Sequence, residues 1–287
     1  MSVAYLNGTF LPLAEARISP MDRGFLFADG IYEVIPVYSG TPFRLDEHLT
    51  RLERSLAEIQ LPAPLARADW PALIDTLISK NGGGNLSLYL QITRGTAAVR
   101  DHAFPPPGTP PTVFAMVSPM SAPAADSPDT TPGVAAITVQ DIRWLRCDIK
   151  SVSLLPNILM RQQAVGAGAA EAIMLRDGHA SEGAASNLFI VQHGTVITPP
   201  KDQWILGGIT RDLVLELCAE HNVPHQEGPV SEAALRGADE IWITSSTREI
   251  VPVVTLDGQP LGDGRPGPVW HRVARLYVDF KRRLCGL

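Results

Sequence analysis

Lys150 stands in Asp148-Ile-Lys-Ser-Val152, between apolar neighbours that imply partial burial. Desolvation lowers the pKa of an ammonium group, so a half-buried lysine can present a neutral amine that attacks a carbonyl. Taken alone, a lysine at a strand end whose head reaches water explains the same residues. Glu182, in Ser181-Glu-Gly-Ala-Ala-Ser-Asn-Leu-Phe189, sits at the mouth of an apolar strand. A carboxylate there could pair with a ligand cation such as a protonated pyridine nitrogen, although a surface glutamate closing a turn is the plainer account. Two stretches suit an anion. Gly207-Gly-Ile-Thr-Arg-Asp212 runs straight into a helix, whose free N–H groups and dipole attract phosphate, and Thr244-Ser-Ser-Thr247 ends a strand on four hydroxyls. Thr210 as a simple N-cap and the hydroxyl run as a polar turn account for them equally well. Arg51, on a first-lobe helix, offers a charge-assisted contact or a solvated helix face. Arg100 and His102 lie two apart in the loop Arg94-Gly-Thr-Ala-Ala-Val-Arg-Asp-His-Ala-Phe-Pro-Pro-Pro107, where an arginine fork could grip a carboxylate.

Other chemistries find no footing. The sequence has neither a G-x-G-x-x-G nor a G-x-x-x-x-G-K-[ST] phosphate loop, and no G-x-S-x-G nucleophile elbow. His221 and His225 are four apart, but Pro224 between them argues against a helical metal pair, so no metal site is expected. Cys147, Cys218 and Cys285 are too scattered for a disulfide framework or a zinc ribbon, and Cys147 reads as a buried, inert thiol. A net charge of −6 without a basic run lacks the footprint for nucleic acid. The opening residues carry no basic and apolar leader and no window approaches 18 apolar residues, so no membrane span and a cytoplasmic setting are expected.

The elements that must position these residues follow from patterning. Asn7-Gly8 between two short apolar runs predicts a hairpin over Ala4 to Leu11. Leu49, Leu52, Leu56 and Ile59 repeat at helical spacing, with Asp46 as the expected N-cap. Leu86, Leu88, Leu90 and Ile92 alternate as one face of a strand. Later strands are expected at Ala135–Ile142, Glu171–Leu175, Leu188–Val191 and Glu240–Thr244, and helices at Pro156–Val165, Thr210–His221 and Val269–Leu284. Strands and helices mix without a βαβ beat, which predicts α+β lobes with partly antiparallel sheets. A proline-rich stretch without apolar periodicity predicts a small N-terminal domain at 1–120, a linker at 121–133 and a larger domain at 134–287.

Read together, these segments resemble the fold-type IV pyridoxal-phosphate enzymes, most closely the bacterial D-amino acid aminotransferases. Asp22-Arg-Gly-Phe-Leu-Phe-Ala-Asp-Gly-Ile-Tyr-Glu33 looks like that family's D-R-G-x-x-F-x-D-G-x-Y-E signature, and Asp141-Ile-Arg-Trp-Leu-Arg-Cys-Asp-Ile-Lys150 and Leu206-Gly-Gly-Ile-Thr-Arg-Asp212 are similar to further family motifs. The resemblance implies a two-lobed α+β fold, mixed sheets with flanking helices, in a homodimer with shared active sites. It implies pyridoxal 5'-phosphate as cofactor and amino acids and 2-oxo acids as substrates. Lys150 would be the Schiff-base lysine and general base, and Glu182 would pair with the pyridine nitrogen. Arg51, Ile209, Thr210, Ser245 and Ser246 would hold the phosphate, and Leu206 would pack on the ring. Tyr32, Arg100 and His102 match the carboxylate trap of the D-amino acid branch, the last two reaching in from the neighbouring subunit. The chain departs from the family pattern in a longer loop before Arg100, in alanines at 184 and 185 where serines are common, and in Arg248 where a small residue is usual. The expected function is transamination between a D-amino acid, such as D-alanine or D-glutamate, and a 2-oxo acid. The alternatives of the same fold are a branched-chain L-amino acid transaminase, an (R)-amine transaminase and an aminodeoxychorismate lyase. A non-catalytic binding module has no use for Lys150, Glu182 and two phosphate loops together.

Overall fold

A computed structural model describes residues 2–120 and 127–286, and residues 121–126 of the expected linker lie outside them. The chain divides into two units, Met1–Ser121 with Ile149–Ser153, and Ala122–Asp148 with Leu154–Leu287. The short stretch carrying Lys150 therefore groups with the first unit, whereas the sequence pattern places it in the second lobe.

The first unit opens with β1 (Val3–Leu6) and β2 (Thr9–Pro12), joined through Asn7 and Gly8 at φ of 48° and 94°. Two successive left-handed residues make the turn whose twist matches a hairpin. There follow α1 (Arg23–Phe27), β3 (Gly30–Tyr38), β4 (Thr41–Pro42), α2 (Leu45–Glu58), α3 (Trp70–Lys80), β5 (Leu86–Thr93) and β6 (Thr112–Pro119). The six strands form one sheet in the order β2-β1-β6-β5-β3-β4, and its neighbours are all antiparallel. Ile31, Ile35 and Val37 of β3 and Leu88, Leu90 and Ile92 of β5 alternate onto one face, where they bury against Leu49, Leu52 and Leu56 of α2. Asp46 does not cap α2. It lies in the first turn, and the N-cap is Arg44 in a left-handed conformation with no side-chain cap. A carboxylate in the first turn still favours the positive end of the helix dipole.

The second unit contains β7 (Val134–Gln140), α4 (Leu155–Gly166), β8 (Glu171–Arg176), β9 (His179–Gly183), β10 (Asn187–Gln192), β11 (Thr195–Thr198), α5 (Ile209–Glu220), β12 (His225–Glu227), β13 (Val230–Ser231), α6 (Glu232–Arg236), β14 (Glu240–Ser245), β15 (Glu249–Leu256), β16 (Gln259–Pro260) and α7 (Pro268–Cys285). Its ten-stranded sheet runs β12-β11-β10-β14-β15-β7-β8-β9-β13, with β16 beside β15. The strand β7 is parallel to β15 and to β8, and β12 to β11, while the other pairs are antiparallel. Leu188, Ile190, Ile241, Ile243, Val251 and Val253 fill one core. The amphipathic α7 buries Trp270, Val273, Ala274 and Tyr277 at helical spacing. The carboxylate of Glu240 accepts from the N–H groups of Val269 (2.9 Å) and Trp270 (2.8 Å) at its start.

Near its C-terminal end α7 also sends Lys281 to the buried Glu249, with Nζ 2.8 Å from Oε1. Glu249 has a left-handed φ of 57°. A buried non-glycine residue persists there only where its surroundings over-determine it. The ion pair thus pins the end of the turn at 246–248, which carries the last two hydroxyls of the run. Among the described residues no helix is long and apolar enough to cross a membrane.

Candidate active site

In the first unit, the stretch Ile149–Ser153 lies along the start of β3. Tyr32 N–H donates to the Lys150 carbonyl (3.0 Å), Val152 N–H donates to the Gly30 carbonyl (3.1 Å), and Ile149 is part of the hydrophobic core. This backbone pairing sets the half-buried Lys150 amine 4.3 Å from the centre of the Tyr32 ring. Tyr32 points to the face of β3 opposite the α2 core, with the Tyr89 ring 5.7 Å away. Burial raises the Tyr89 phenol to about 12.

On the core face of the same strand stands Glu33, a fully buried carboxylate in a row of aliphatic residues. Its oxygens accept from Arg51 Nε (2.8 Å) and Nη2 (2.7 Å) and lie 2.8 Å from His48 Nδ1, both from α2. Burial acts to raise the Glu33 pKa, but the Arg51 cation and the two sets of hydrogen bonds outweigh it and hold the carboxyl well below its usual range. Burial holds His48 below its ordinary value. The Arg51 guanidinium is therefore oriented by a carboxylate that is itself fixed in the sheet.

Arg100 and His102 occupy the exposed loop between β5 and β6. The Arg100 guanidinium carbon lies 4.8 Å from the centre of the Phe27 ring, and the His102 ring 5.2 Å from the same ring. The sequence pair is therefore one spatial cluster, gathered on a single aromatic side chain.

In the second unit, Glu182 is buried and fully engaged. One oxygen accepts from Arg143 Nη1, and the other from Asn187 Nδ2 (3.0 Å) and Leu206 N–H (3.1 Å). Burial pushes its pKa up to about 7, against the pull of Arg143 and the Leu206 N–H. Arg143 spends most of its fork on Asp141, with contacts of 3.0 and 2.9 Å, and Asp141 also pairs with Arg176. Burial opposes the Arg143 cation, but Asp141 and Glu182 more than offset this and keep it above its ordinary value. Burial likewise raises the Cys147 thiol to about 11, which leaves it unreactive near neutrality.

Asn187 ties this carboxylate to the anion-binding candidates. Its amide also donates to the Leu206 carbonyl (2.7 Å), and it pairs across the sheet with Thr244. A Cβ on Gly208 would lie 1.9 Å from Asn187 Oδ1, so any larger residue there would have to displace the amide that holds Glu182. Gly208 is the N-cap of the twelve-residue α5 and supplies no capping side chain, which leaves the first-turn N–H groups of Ile209 and Thr210 for an outside acceptor. Thr210 is buried in that turn, so it is not the cap. Thr244 Oγ1 is buried with no hydrogen-bond partner, and Ser245 and Ser246 follow it at the strand end. An uncapped helix start, an orphaned buried hydroxyl and a buried carboxylate that can hold or release a proton near neutrality suit a ligand bearing both a phosphate and a protonable ring nitrogen.

Residues 30–256 match the family model of amino-transferase class IV. The chain belongs to the class IV aminotransferases. It is 42% identical over 267 residues to the D-alanine aminotransferase of Bacillus licheniformis, covering 93% of each chain. With that of Staphylococcus haemolyticus it shares 39% over 273 residues, 95% of each. Among solved structures it resembles the branched-chain amino acid aminotransferase of Escherichia coli, with a TM-score of 0.89, 27% identity, and 96% and 93% of the two chains covered. A T.th. branched-chain aminotransferase complexed with N-(5'-phosphopyridoxyl)-L-glutamate has a TM-score of 0.88 at 26% identity, covering 99% of this chain and 94% of its own.

Four residues of this aminotransferase escaped the sequence reading: Glu33, His48, Arg143 and Asn187. Glu33 carried a signal, because a charge alternating with Ile31, Ile35 and Val37 faces the core and must be paired there. Arg143 and Asn187 sit inside motifs already singled out, but nothing in their spacing shows that both reach Glu182.

The raised pKa of Glu182 predicts a pH dependence. Its folded value of about 7 lies above the ordinary 4.5, so between these limits the folded state holds a proton that the unfolded chain releases. This group's contribution to stability is complete below pH 4.5 and is lost as the pH rises through about 7. In cofactor-free protein, the melting temperature of Glu182→Gln should gain on the wild type as pH rises through that window. Parallel melting curves for the two proteins would refute the elevated pKa.

Proposed function

We propose that this aminotransferase is a cytoplasmic homodimer that transfers amino groups between D-amino acids and 2-oxo acids with pyridoxal 5'-phosphate as cofactor. Lys150 would hold the cofactor, Glu182 would face its pyridine nitrogen, and Leu206 would pack on the ring. Arg51, Ile209, Thr210, Ser245 and Ser246 would hold the phosphate. When bound, the cofactor supplies an electron sink for cleavage of the Cα–H bond. Lys150 Nζ takes the proton from Cα as general base. The carboxylate of Glu182 keeps a positive charge favourable at the atom it faces, and its link to Leu206 and Asn187 holds it in place.

Tyr32, Arg100 and His102 orient the substrate carboxylate, which selects the face of Cα that offers its hydrogen to Lys150. The observation that carries the D-amino acid reading is the gathering of Arg100 and His102 on Phe27, which presents an arginine fork and an imidazole together from one exposed loop. The dimer is supported by α4, where Leu155, Ile158 and Leu159 leave an apolar stripe exposed.

The test is a half-reaction followed by absorbance. The purified holoenzyme should lose the band of its lysine-bound cofactor on addition of D-alanine, and should resist L-leucine and (R)-1-phenylethylamine. Conversion mainly by L-leucine would assign the branched-chain specificity instead, and conversion mainly by the amine would remove the need for a carboxylate trap.

A further inference from the structure

In the signature Asp22-Arg23-Gly24, Asp22 caps α1 by accepting from the Gly24 N–H. Arg23 is buried although it belongs to a five-residue surface helix, α1. Its Nε donates to Asp29 Oδ2 (2.8 Å), and the rest of its fork reaches three successive carbonyls of the loop after β5. Nη1 donates to Asp101 O (2.6 Å) and Ala103 O (3.1 Å), and Nη2 to His102 O (3.3 Å). Its guanidinium carbon lies 4.9 Å from the centre of the Phe27 ring, the ring that Arg100 and His102 share.

A second arginine braces the same construction. Arg94 Nε donates to Asp29 Oδ2 (2.8 Å), and its fork holds the Ile59 and Gln60 carbonyls at the end of α2. Asp22 anchors the base of the loop by accepting from the hydroxyls of Thr93 (2.7 Å) and Thr112 (2.6 Å). Loop carbonyls are ordinarily left to water, and a loop rich in proline and small residues is otherwise free to move. A buried cation with three carbonyls on its fork removes that freedom at residues 101–103, directly beside Arg100 and through His102.

We infer that Arg23 is a positioning residue for substrate recognition, bolting the 94–104 loop so that Arg100 and His102 meet the substrate carboxylate in one geometry. This rests on the assignment of Arg100 and His102 to that carboxylate. Arg23 touches neither substrate nor cofactor in this reading. It acts only through the loop, and the small-molecule class it helps select is the free α-amino acid with an unblocked carboxylate.

The test compares Arg23→Gln and Arg23→Lys with the wild-type holoenzyme and with Arg100→Ala. In Arg23→Gln the KM for D-alanine should rise by roughly tenfold to a hundredfold, since a displacement near 1 Å of an orienting group costs up to about 10². The bound pyridoxal phosphate should change by less than about twofold, and kcat should fall by less than KM rises, because the carboxylate contact binds the substrate as well as orienting it. Limited trypsin digestion after Arg100 should be faster by roughly tenfold, as a loosened loop opens more often. Arg23→Lys keeps the charge on Asp29 but not the three-carbonyl fork, so it should fall between the two. If Arg23→Gln does not fold, Arg23→Lys carries the reading, and its KM must still rise. An unchanged KM and digestion rate, or equal losses of kcat, cofactor and melting temperature, would overturn the inference. A raised KM in Arg100→Ala with none in the Arg23 variants would remove the Arg23 role alone. No change in Arg100→Ala would remove the carboxylate assignment and the inference together.

Discussion

Replacing Lys150 with alanine is expected to reduce transamination by about 10⁴-fold or more, the upper end of what a positioned base contributes. The loss should be chemical and not structural. The 149–153 backbone is held to β3 by the Tyr32 and Val152 hydrogen bonds and by burial of Ile149, none of which uses the Lys150 side chain. The variant should therefore keep the wild-type melting temperature within a few degrees in cofactor-free form, since removal of a half-buried side chain typically costs little. Steady-state rates with D-alanine and a 2-oxo acid, measured beside thermal unfolding, decide the matter. A loss below about tenfold would sink the assignment of Lys150 as base.

Glu33→Ala is expected to destabilise the protein by about 3–5 kcal/mol, because it removes the carboxylate that compensates the buried Arg51 cation. Two effects combine. The bidentate hold on Arg51 disappears, and His48 loses the acceptor at 2.8 Å. The pKa of Glu33 is depressed, so its stabilising contribution is present above the ordinary carboxyl value of 4.5 and is lost as the pH falls through its folded value. Denaturant unfolding at neutral pH should thus show the whole effect. The double variant Glu33→Leu/Arg51→Met should lose less stability than Glu33→Ala alone, since apolar replacement of a whole buried pair is often neutral. It should nevertheless retain pyridoxal phosphate poorly if Arg51 holds the phosphate. Wild-type cofactor retention in the double variant would argue against that role, whatever its stability.

The two expectations separate what an ion pair does for the fold from what it does for a ligand. Arg51 is a member of the α2 core face before it is anything else, flanked by Leu49 and Leu52 and held by a strand residue. If Arg51 holds the phosphate as proposed, a group anchored in this way needs little reorganisation when the anion arrives. Arg23 and Glu182 repeat the arrangement, with Asp29 and three loop carbonyls in one case and Arg143, Asn187 and Leu206 in the other.

Local patterning was sufficient for most of the elements. The Asn7-Gly8 turn, the alternation in β5 and the helices α4, α5 and α7 follow from propensity and period, which act over a few residues. Asp46 illustrates the limit of that reasoning. Its residue type suits a cap, but the chain enters α2 through the left-handed Arg44 two residues earlier than the capping pattern suggests. Ordered motifs at family spacing also sufficed for the family, and they include Lys150, Glu182 and the residues around α5.

Sequence alone thus determined most element types and the family, and it proposed the candidate site residues, because these depend on side-chain chemistry and short-range spacing. Tertiary structure alone decided that the Lys150 stretch joins the first unit beside β3, that Glu33 and His48 hold Arg51, and that Arg143 and Asn187 share Glu182. It also decided that Arg23 locks a loop some 78 residues further along the chain. The physical reason is that a buried charge must find partners wherever packing brings them, and those partners lie on elements whose pairing is settled by the burial of the whole sheet and not by any local run of residues.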